Sequence, residues 1–355
     1  MPDAPGLIGA AARPGHSHAD AAEPALPAGR VPRAGGVLLS AEFGLFVLLV
    51  LFCAGFGLFT HGFTSPFNLF SLARTAAVNM LVGLAMMTVI VTGGLDLSVG
   101  AVGVCSAMAA GWLMQVAGAP LAAAIPAALA VGLLLGLLNG WLIVRTGLHS
   151  FVVTLATMSI YFGVMIVATR AQAFENLPPG YAGFARLRLA GWVSPMLGCG
   201  VLAAVLLHIL YRLTDTGRRM LAAGANPRAA LLSGVDVGRA VTQCHGLAGL
   251  LAAAAGLMLS MRNGAAIPSM AGNLGQDWLL PAFLAPVLGG TLLTGGRVSV
   301  TGTVLGALLV SVLNSGLLLL HVGVFWVQFF LGALLLGAVL IDKARLRLLA
   351  AGGGR

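Results

Sequence analysis

The chain has 355 residues, of which 59% are hydrophobic and 8% charged, and its mean hydropathy is +1.00. Soluble globular proteins carry about 25% charged residues, so the composition excludes a soluble protein and indicates a polytopic membrane protein. The net charge of +9 does not indicate nucleic-acid binding, because the basic residues lie in short segments beside apolar runs.

The N-terminal residues 1–36 are rich in Pro, Ala, Gly and His and contain no continuous apolar stretch. A cleavable signal peptide would show an apolar core within about the first thirty residues. We therefore expect a disordered cytoplasmic tail over 1–36. A transmembrane domain over 37–345 and a short cytoplasmic tail over 346–355 are expected to follow.

Ten apolar segments come after the tail, and each is predicted to cross the bilayer as an α-helix. They run over about 39–60, 74–92, 99–118, 121–144, 150–169, 193–211, 240–261, 278–291, 299–320 and 323–341. The eighth is short and is interrupted by Pro281 and Pro286. The predicted fold class is an all-α membrane protein of about ten helices.

The basic residues predict the orientation of these segments. If the N-terminus is cytoplasmic, 14 of the 19 basic residues lie on the inner side and five on the outer side. The outer five are Arg74, Arg170, Arg186, Arg188 and Arg262. The positive-inside rule thus predicts that both termini are cytoplasmic. The outer loop at about 170–192 has the apolar and aromatic content of a short interfacial helix.

The stretch GGLDLSVG (93–100) places an acidic residue between two apolar runs. An exposed Asp at mid-membrane costs roughly 2.5–3.5 kcal/mol or more, whereas a helix N-cap gains about 1 kcal/mol. We predict that Asp96 caps a helix that starts near Leu97; direct contact with a substrate is the alternative. The candidate residues for a structural turn or a translocation path are Gly93, Gly94, Asp96, Ser98 and Gly100. A related stretch, GGRVSVTGTVLG (295–306), predicts a second copy of this turn.

Polar side chains inside the predicted spans are candidates for lining a substrate pathway. They include Asn139, Gln243, His245 and Asn314. The competing interpretation for each is a hydrogen bond to a neighbouring helix, worth about 1 kcal/mol. The predicted spans show no relay of buried Asp, Glu or Arg residues around Asp96, which disfavours a proton-coupled carrier.

The inner loop at about 212–239 contains five arginines and reads RRMLAAGANPRAALLSGVDVGR from 218 onward. Small and apolar residues recur at Ala225, Ala229, Leu232 and Gly234. Pro227 lies early in the pattern, where a helix tolerates proline. The loop is predicted to form a short amphipathic helix that docks in a groove of another protein or lies on the membrane surface.

Catalytic and cofactor motifs are missing from the sequence. A phosphate-binding Walker A loop needs a lysine before Ser or Thr, and the only lysine, Lys343, precedes alanine. The chain is therefore not itself a P-loop ATPase. The four cysteines form no CxxC pair, so neither a metal site nor a disulfide framework is indicated.

Five motifs together resemble the monosaccharide-type permease family of bacterial ABC importers, which includes ribose, xylose and galactose permeases. GGLDLSVG is one. The inner loop matches the pattern G-x-N-x-x-A-A-x-x-S-G at Gly224, Asn226, Ala229, Ala230, Ser233 and Gly234, with Arg228 inside it. The others are FVVTLATMSI (151–160), VLGGTLLTGGRVSVTGTVLGALL (287–309) and GALLLGAVLID (332–342). The resemblance covers about 39–345.

The resemblance implies a permease of the cobalamin-importer class in the bacterial inner membrane, working as a homodimer or heterodimer. It implies cytoplasmic ABC ATPase subunits, which hold ATP and Mg²⁺ and accept the 212–239 loop in a groove, and a periplasmic sugar-binding protein. No cofactor is expected on this chain. The implied activity is inward transport of a small neutral sugar or related polyol. Because Leu279 stands where the family often carries an acid, the exact solute stays open; a stand-alone channel or facilitator is the alternative function.

Overall fold

The computed structural model of the protein describes residues 41–189, 193–321, 323, 326–337 and 340. The predicted tails, 1–36 and 346–355, lie outside these residues. The helices are α1 (Ala41–Phe59), α2 (Pro66–Ile90), α3 (Val99–Gln115), α4 (Leu121–Thr146), α5 (Ser150–Thr169), α6 (Pro179–Arg186), α7 (Pro195–Leu213), α8 (Asp215–Ala225), α9 (Pro227–Leu232), α10 (Val237–Asn263), α11 (Leu279–Leu288), α12 (Val300–Leu319) and α13 (Trp326–Gly337). A 3₁₀-helix, Asn273–Trp278, precedes α11.

Seven of the described helices are long and apolar enough to cross a membrane: α1, α2, α4, α5, α7, α10 and α12. The other three predicted spans correspond to helices that are shorter, namely α3, α11 and α13. In α11, Pro286 lies inside the helix, in line with the predicted interruption. The protein is thus an all-helical, multi-pass membrane protein with seven candidate spans in its described part.

The start of α2 differs from the prediction. The helix begins at Pro66, where proline occupies the first turn and the Ser65 side chain accepts a hydrogen bond from the Asn68 amide. Both features are typical of a helix N-terminus. Arg74, predicted to lie on the outer side as the first residue of the second span, therefore lies inside α2. The prediction missed this because Asn68 and Ser71 interrupt the apolar run that marks a span.

Helix α10 is central to the bundle and packs against α4, α2 and α3. Its contact with α4 is made by small residues. A Cβ on Gly136 would lie 2.2 Å from the His245 carbonyl oxygen, and one on Gly249 would lie 2.1 Å from the Gly132 carbonyl oxygen. Glycines at such positions let two membrane helices approach backbone to backbone.

The predicted helix in the 170–192 loop is present as α6 and marks one face of the bundle, called the α6 face. Its Tyr181 is 1% exposed, and the phenol oxygen lies 2.5 Å from Ser260 Oγ. Burial raises the pKa of Tyr181 to about 12, so the phenol stays neutral and fixes α6 to α10. Nearby, Phe174 and Ala266 pair through both backbone amides.

Candidate functional site

The short helix predicted with Pro227 near its start is present as α9, where Pro227 occupies the first turn, and a second helix that was not predicted, α8, precedes it. The break is at Asn226, whose backbone is extended with φ −156°. Pro227 has no amide hydrogen to continue α8, and the residue before a proline is pushed out of helical geometry. The Asn226 side chain instead caps α9, since its Oδ1 accepts a 3.0 Å hydrogen bond from the Ala229 amide.

The two helices define the α8–α9 face, where the residues of the predicted coupling loop separate into two groups. Exposed are Asn226, Arg228, Ala229, Ser233 and Gly234; buried are Gly224 and Ala230. Leu231 and Leu232 are 65% and 89% exposed. Ala229, Leu231 and Leu232 thus form an apolar surface, here called the docking patch. Its contact with an ATPase stays a prediction.

Gly224 is a matched position of the loop that the resemblance places in a groove of the ATPase, but it is buried within this chain. A Cβ at Gly224 would lie 1.8 Å from the Val91 carbonyl oxygen. The same oxygen accepts a 2.9 Å hydrogen bond from the Gly296 amide. The end of α8 therefore rests on the turn after α2 and on the loop before α12.

The two glycine-rich stretches that resemble each other in sequence meet at this point. Gly93 has φ +75°, and a Cβ there would lie 3.1 Å from the Thr294 carbonyl oxygen. Their caps differ, however. Ser299 caps α12 through a 2.9 Å hydrogen bond from the Gly302 amide, whereas Ser98 makes no side-chain cap bond to α3.

Asp96 does not cap α3 in the predicted way. The helix begins at Val99, with Ser98 at the N-cap position. Asp96 Oδ1 accepts hydrogen bonds from the Ser98 amide at 2.8 Å and from Ser98 Oγ at 2.6 Å. Asp96 therefore closes a local turn with its own side chain, a hydrogen bond that Asp makes readily outside helices.

The carboxylate lies at the end of a chain of buried hydrogen bonds. Tyr161 donates to Asn139 Oδ1 at 2.7 Å, and Asn139 Nδ2 donates to Ser98 Oγ at 2.7 Å. Ser98 then donates to Asp96. We call this the Tyr161–Asp96 chain. All four side chains are at most 7% exposed. Donors that all point towards a carboxylate polarise one another and strengthen the chain.

Two side chains of α5 also hold the turn between α2 and α3, here called the 91–98 turn. Each accepts a hydrogen bond from a backbone amide of the turn. The Leu95 amide donates to Ser150 Oγ at 2.9 Å, and the Leu97 amide donates to Thr154 Oγ1 at 3.2 Å. The remaining glycines pack closely. A Cβ on Gly94 would lie 3.3 Å from Ser150 Oγ, and one on Gly100 would lie 2.1 Å from the Gly275 carbonyl oxygen.

The four candidate pathway residues do not form one cluster. Asn139 belongs to the Tyr161–Asp96 chain. His245 is fully buried, with Nδ1 3.0 Å from the Val241 carbonyl oxygen and no partner for Nε2 in the described part of the chain. Gln243 is exposed on α10, and Asn314 is half-buried on α12. Among the described residues, no hydrogen bond joins Asn314 to the other three.

Two cavities lie near these residues. A groove of about 750 Å³ runs between α3, α4 and α5, with Cys105, Leu135, Tyr161 and Val164 in its walls. A second cavity of about 340 Å³ lies beside the 91–98 turn and is lined by Gly93, Leu95, His149, Phe283, Val287, Leu293 and Leu335. Within the described residues, no three His, Cys, Asp or Glu side chains come together to hold a metal ion.

Sequence reasoning missed some polar contacts between helices. Tyr161 was not a candidate, although it is a tyrosine inside an apolar span and could have been chosen for its hydroxyl. Asn79 donates to Ser311 Oγ at 2.9 Å and joins α2 to α12. Both residues interrupt apolar runs in the sequence, which is the signal that marked Asn139.

Comparison with known proteins identifies the family. Residues 68–339 match the family described as branched-chain amino acid transport system, permease component. The chain belongs to the ABC importer permeases, in the monosaccharide group. It is 39% identical over 310 residues to the ribose import permease of Bacillus subtilis (strain 168), covering 86% of this chain and 93% of that protein.

Other members of the group share comparable lengths with this permease. The D-allose permease of Escherichia coli (strain K12) is 30% identical over 303 residues, covering 85% of this chain and 91% of that protein. The autoinducer 2 permease of Enterobacter sp. (strain 638) is 35% identical over 290 residues, covering 79% and 85%. No solved structure matches the chain.

Membership of this family decides between the alternatives left by the sequence. Importer permeases work with separate ATPase subunits and a solute-binding protein, so this chain is a transport subunit and not an enzyme. The alternative function, a stand-alone channel or facilitator, is not favoured.

Proposed function

We propose that the protein is one of two permease subunits, identical or different, of an importer that moves a small neutral sugar from periplasm to cytoplasm. The sugar would be a pentose, a hexose or a related polyol. The observation that carries this proposal is the identity to ribose and allose permeases over nearly the whole lengths of both chains.

We further propose ten crossings, arranged as in the cobalamin-importer class. Helix α3 has 17 residues and a rise of about 26 Å, close to the roughly 30 Å hydrocarbon core. It starts at the 91–98 turn, beside α8. At its other end, Gln115 accepts a 3.1 Å hydrogen bond from the Asn176 amide, near α6. A short helix that reaches from one face to the other supports a crossing.

The α8–α9 face would lie in the cytoplasm, with both termini, and the α6 face in the periplasm. Exposed Arg218, Arg219 and Arg228 support this orientation through the positive-inside rule. In this orientation the docking patch meets the ATPase subunit, which holds ATP and Mg²⁺, and the α6 face meets the sugar-binding protein. The tails at 1–36 and 346–355 would also be cytoplasmic.

The translocation path is proposed to run past the cavity lined by Gly93 and to be completed by the second permease subunit. Two pathway candidates lie on the packed helices α4 and α10: Asn139, a member of the Tyr161–Asp96 chain, and His245. Gln243 and Asn314 remain candidates on the basis of the sequence alone.

Co-purification with the ATPase subunit tests the proposal. Ala229→Glu and Leu232→Glu each place a charge in the docking patch, and an unpaired charge at an interface costs several kcal/mol. We expect both variants to insert normally but to lose the ATPase subunit. The control is Ser269→Glu, which places the same charge at an exposed position in the loop after α10. Normal coupling in both patch variants would contradict the cytoplasmic docking role.

Two further measurements address orientation and solute. Single cysteines at the exposed positions Arg186 and Arg219, in a chain without the native cysteines, should react with impermeant reagents from opposite sides. Labelling of both from outside would contradict the ten-crossing arrangement. A melting screen of the partner binding protein with ribose, allose and related polyols should identify the sugar; stabilisation by none of them would count against a sugar importer.

A further inference from the structure

The Tyr161–Asp96 chain connects a peripheral helix to the turn that supports α8. Its hydrogen bonds measure 2.7 Å from Tyr161 to Asn139, 2.7 Å from Asn139 to Ser98 and 2.6 Å from Ser98 to Asp96. It crosses three helices, and no member is more than 7% exposed. A buried polar group that loses its partner is costly, so displacing one of these side chains raises the free energy unless its neighbour follows.

At one end of the chain, α5 is packed less closely than the central helices. It packs mainly against α3, and its outward side is exposed, with Ile160 at 57% and Val164 at 64%. The groove of about 750 Å³ separates it from α4 along part of its length. Tyr161 belongs to the wall of that groove, so a shift of α5 would displace the first donor of the chain.

At the other end, the 91–98 turn is fixed to α8 by backbone contact. The Val91 carbonyl oxygen accepts a hydrogen bond from Gly296 and lies against Gly224. These contacts leave no space for α8 to shift while the turn stays in place. Asp96, five residues along the same turn, is the acceptor at which the Tyr161–Asp96 chain ends.

We infer that Tyr161, Asn139 and Ser98 are positioning residues that couple the position of α5 to the position of α8, with Asp96 as their anchor. The inference rests on the proposed function, in which α8 and α9 receive the ATPase. Coupling between two sites requires an element with two arrangements that both sites bias. In this inference, α5 is that element. Nucleotide binding to the ATPase would then change the distance between α5 and α4.

Electron spin resonance can measure this distance. Spin labels are placed at the exposed Leu134 on α4 and Val164 on α5, in a chain without native cysteines, assembled with its ATPase subunit in lipid nanodiscs. The probe is ATP with orthovanadate. In the wild type, nucleotide should shift the distance distribution. In Tyr161→Phe, which removes one hydroxyl, the equilibrium between the two distances should change about fivefold, as expected for one net hydrogen bond.

Tyr181→Phe is the matched control, because it removes another buried hydroxyl, bonded to Ser260 near α6, and should respond like the wild type. If Tyr161→Phe does not insert, Ser98→Ala should lose the response and Ser98→Thr, which keeps the hydroxyl, should retain it. A wild type without a nucleotide shift, a normal response in Tyr161→Phe, or equal losses in both tyrosine variants would overturn the inference. Absence of a co-purifying ATPase would contradict the proposed function and this inference with it.

Discussion

Glycines serve opposite purposes at the α4–α10 interface and in the α8–α9 segment. At the interface, a Cβ on Gly136 would lie 2.2 Å from a backbone oxygen of α10. After α9, Gly234 has no atom within 4 Å of its Cβ position but has φ +81°. The first glycine is required by space and the second by backbone conformation. Gly224 belongs to the α8–α9 segment, but like the interface glycines it packs directly against backbone atoms.

This difference teaches that the two regions have different tasks. The interface buries its small residues inside the chain and so fixes the fold. In the α8–α9 segment, Gly224 and Ala230 are among the buried residues, whereas the apolar side chains of Leu231 and Leu232 are exposed. An exposed apolar patch on such a segment is typical of a surface that binds another protein.

The largest effect is expected from Gly136→Leu. The new side chain would overlap the His245 carbonyl region, and overpacking of this kind costs about 3 kcal/mol or more. We expect little inserted protein and a much lower unfolding temperature in detergent. The control is Gly163→Leu on α5, where no atom lies within 4 Å, with an expected change within about 0.5 kcal/mol. Similar behaviour of the two variants would contradict the tight α4–α10 contact.

Gly224→Ala is expected to have the next largest effect. Its Cβ would lie 1.8 Å from the Val91 carbonyl oxygen and 2.7 Å from the Gly296 nitrogen, both of which are backbone atoms. The cost should be about 1–3 kcal/mol, and α8 should separate from the 91–98 turn. Hydrogen exchange at the Gly296 amide would report the separation. Unchanged protection of that amide would show that α8 does not rest there.

Gly234→Ala should have a smaller effect, because the space around it is open. An L residue in the left-handed region costs about 1 kcal/mol, so the unfolding temperature should fall slightly. Gly234→Asn, a residue that tolerates this conformation, should recover part of the loss. If Gly224→Ala and Gly234→Ala were equally destabilising, the contrast between space and conformation would be wrong.

The smallest effect is expected from Arg218→Gln in the first turn of α8. The Arg218 guanidinium hydrogen-bonds Asp215 and holds the pKa of that carboxyl below its usual value. A lowered folded-state pKa adds stability above the unfolded value, which is lost as the pH falls through the folded pKa. Both side chains are exposed, so solvent screens the pair. Wild type and variant should therefore unfold at the same temperature at neutral and acid pH. A loss confined to neutral pH would reveal a stronger pair.

The membrane class, the positions of the long helices and the presence of the short helix α6 could be predicted from the sequence. Each depends on a local property, the length or spacing of apolar residues, that the chain carries without reference to distant residues. The absence of a phosphate-binding lysine likewise excluded an ATPase from the sequence alone. Helix boundaries could not be predicted as well. The second span was predicted to begin at about 74, but α2 begins at Pro66, where Ser65 caps it.

The tertiary structure alone decided which small and polar residues meet. Gly224 and Gly234 are ten residues apart in one motif, but only the fold of the 91–98 turn buries the first against Val91. Tyr161 and Asp96 are 65 positions apart in the sequence, and three hydrogen bonds through α4 and α3 join them. Such contacts depend on distances between helices that are far apart in the chain, and no local pattern of residues encodes them.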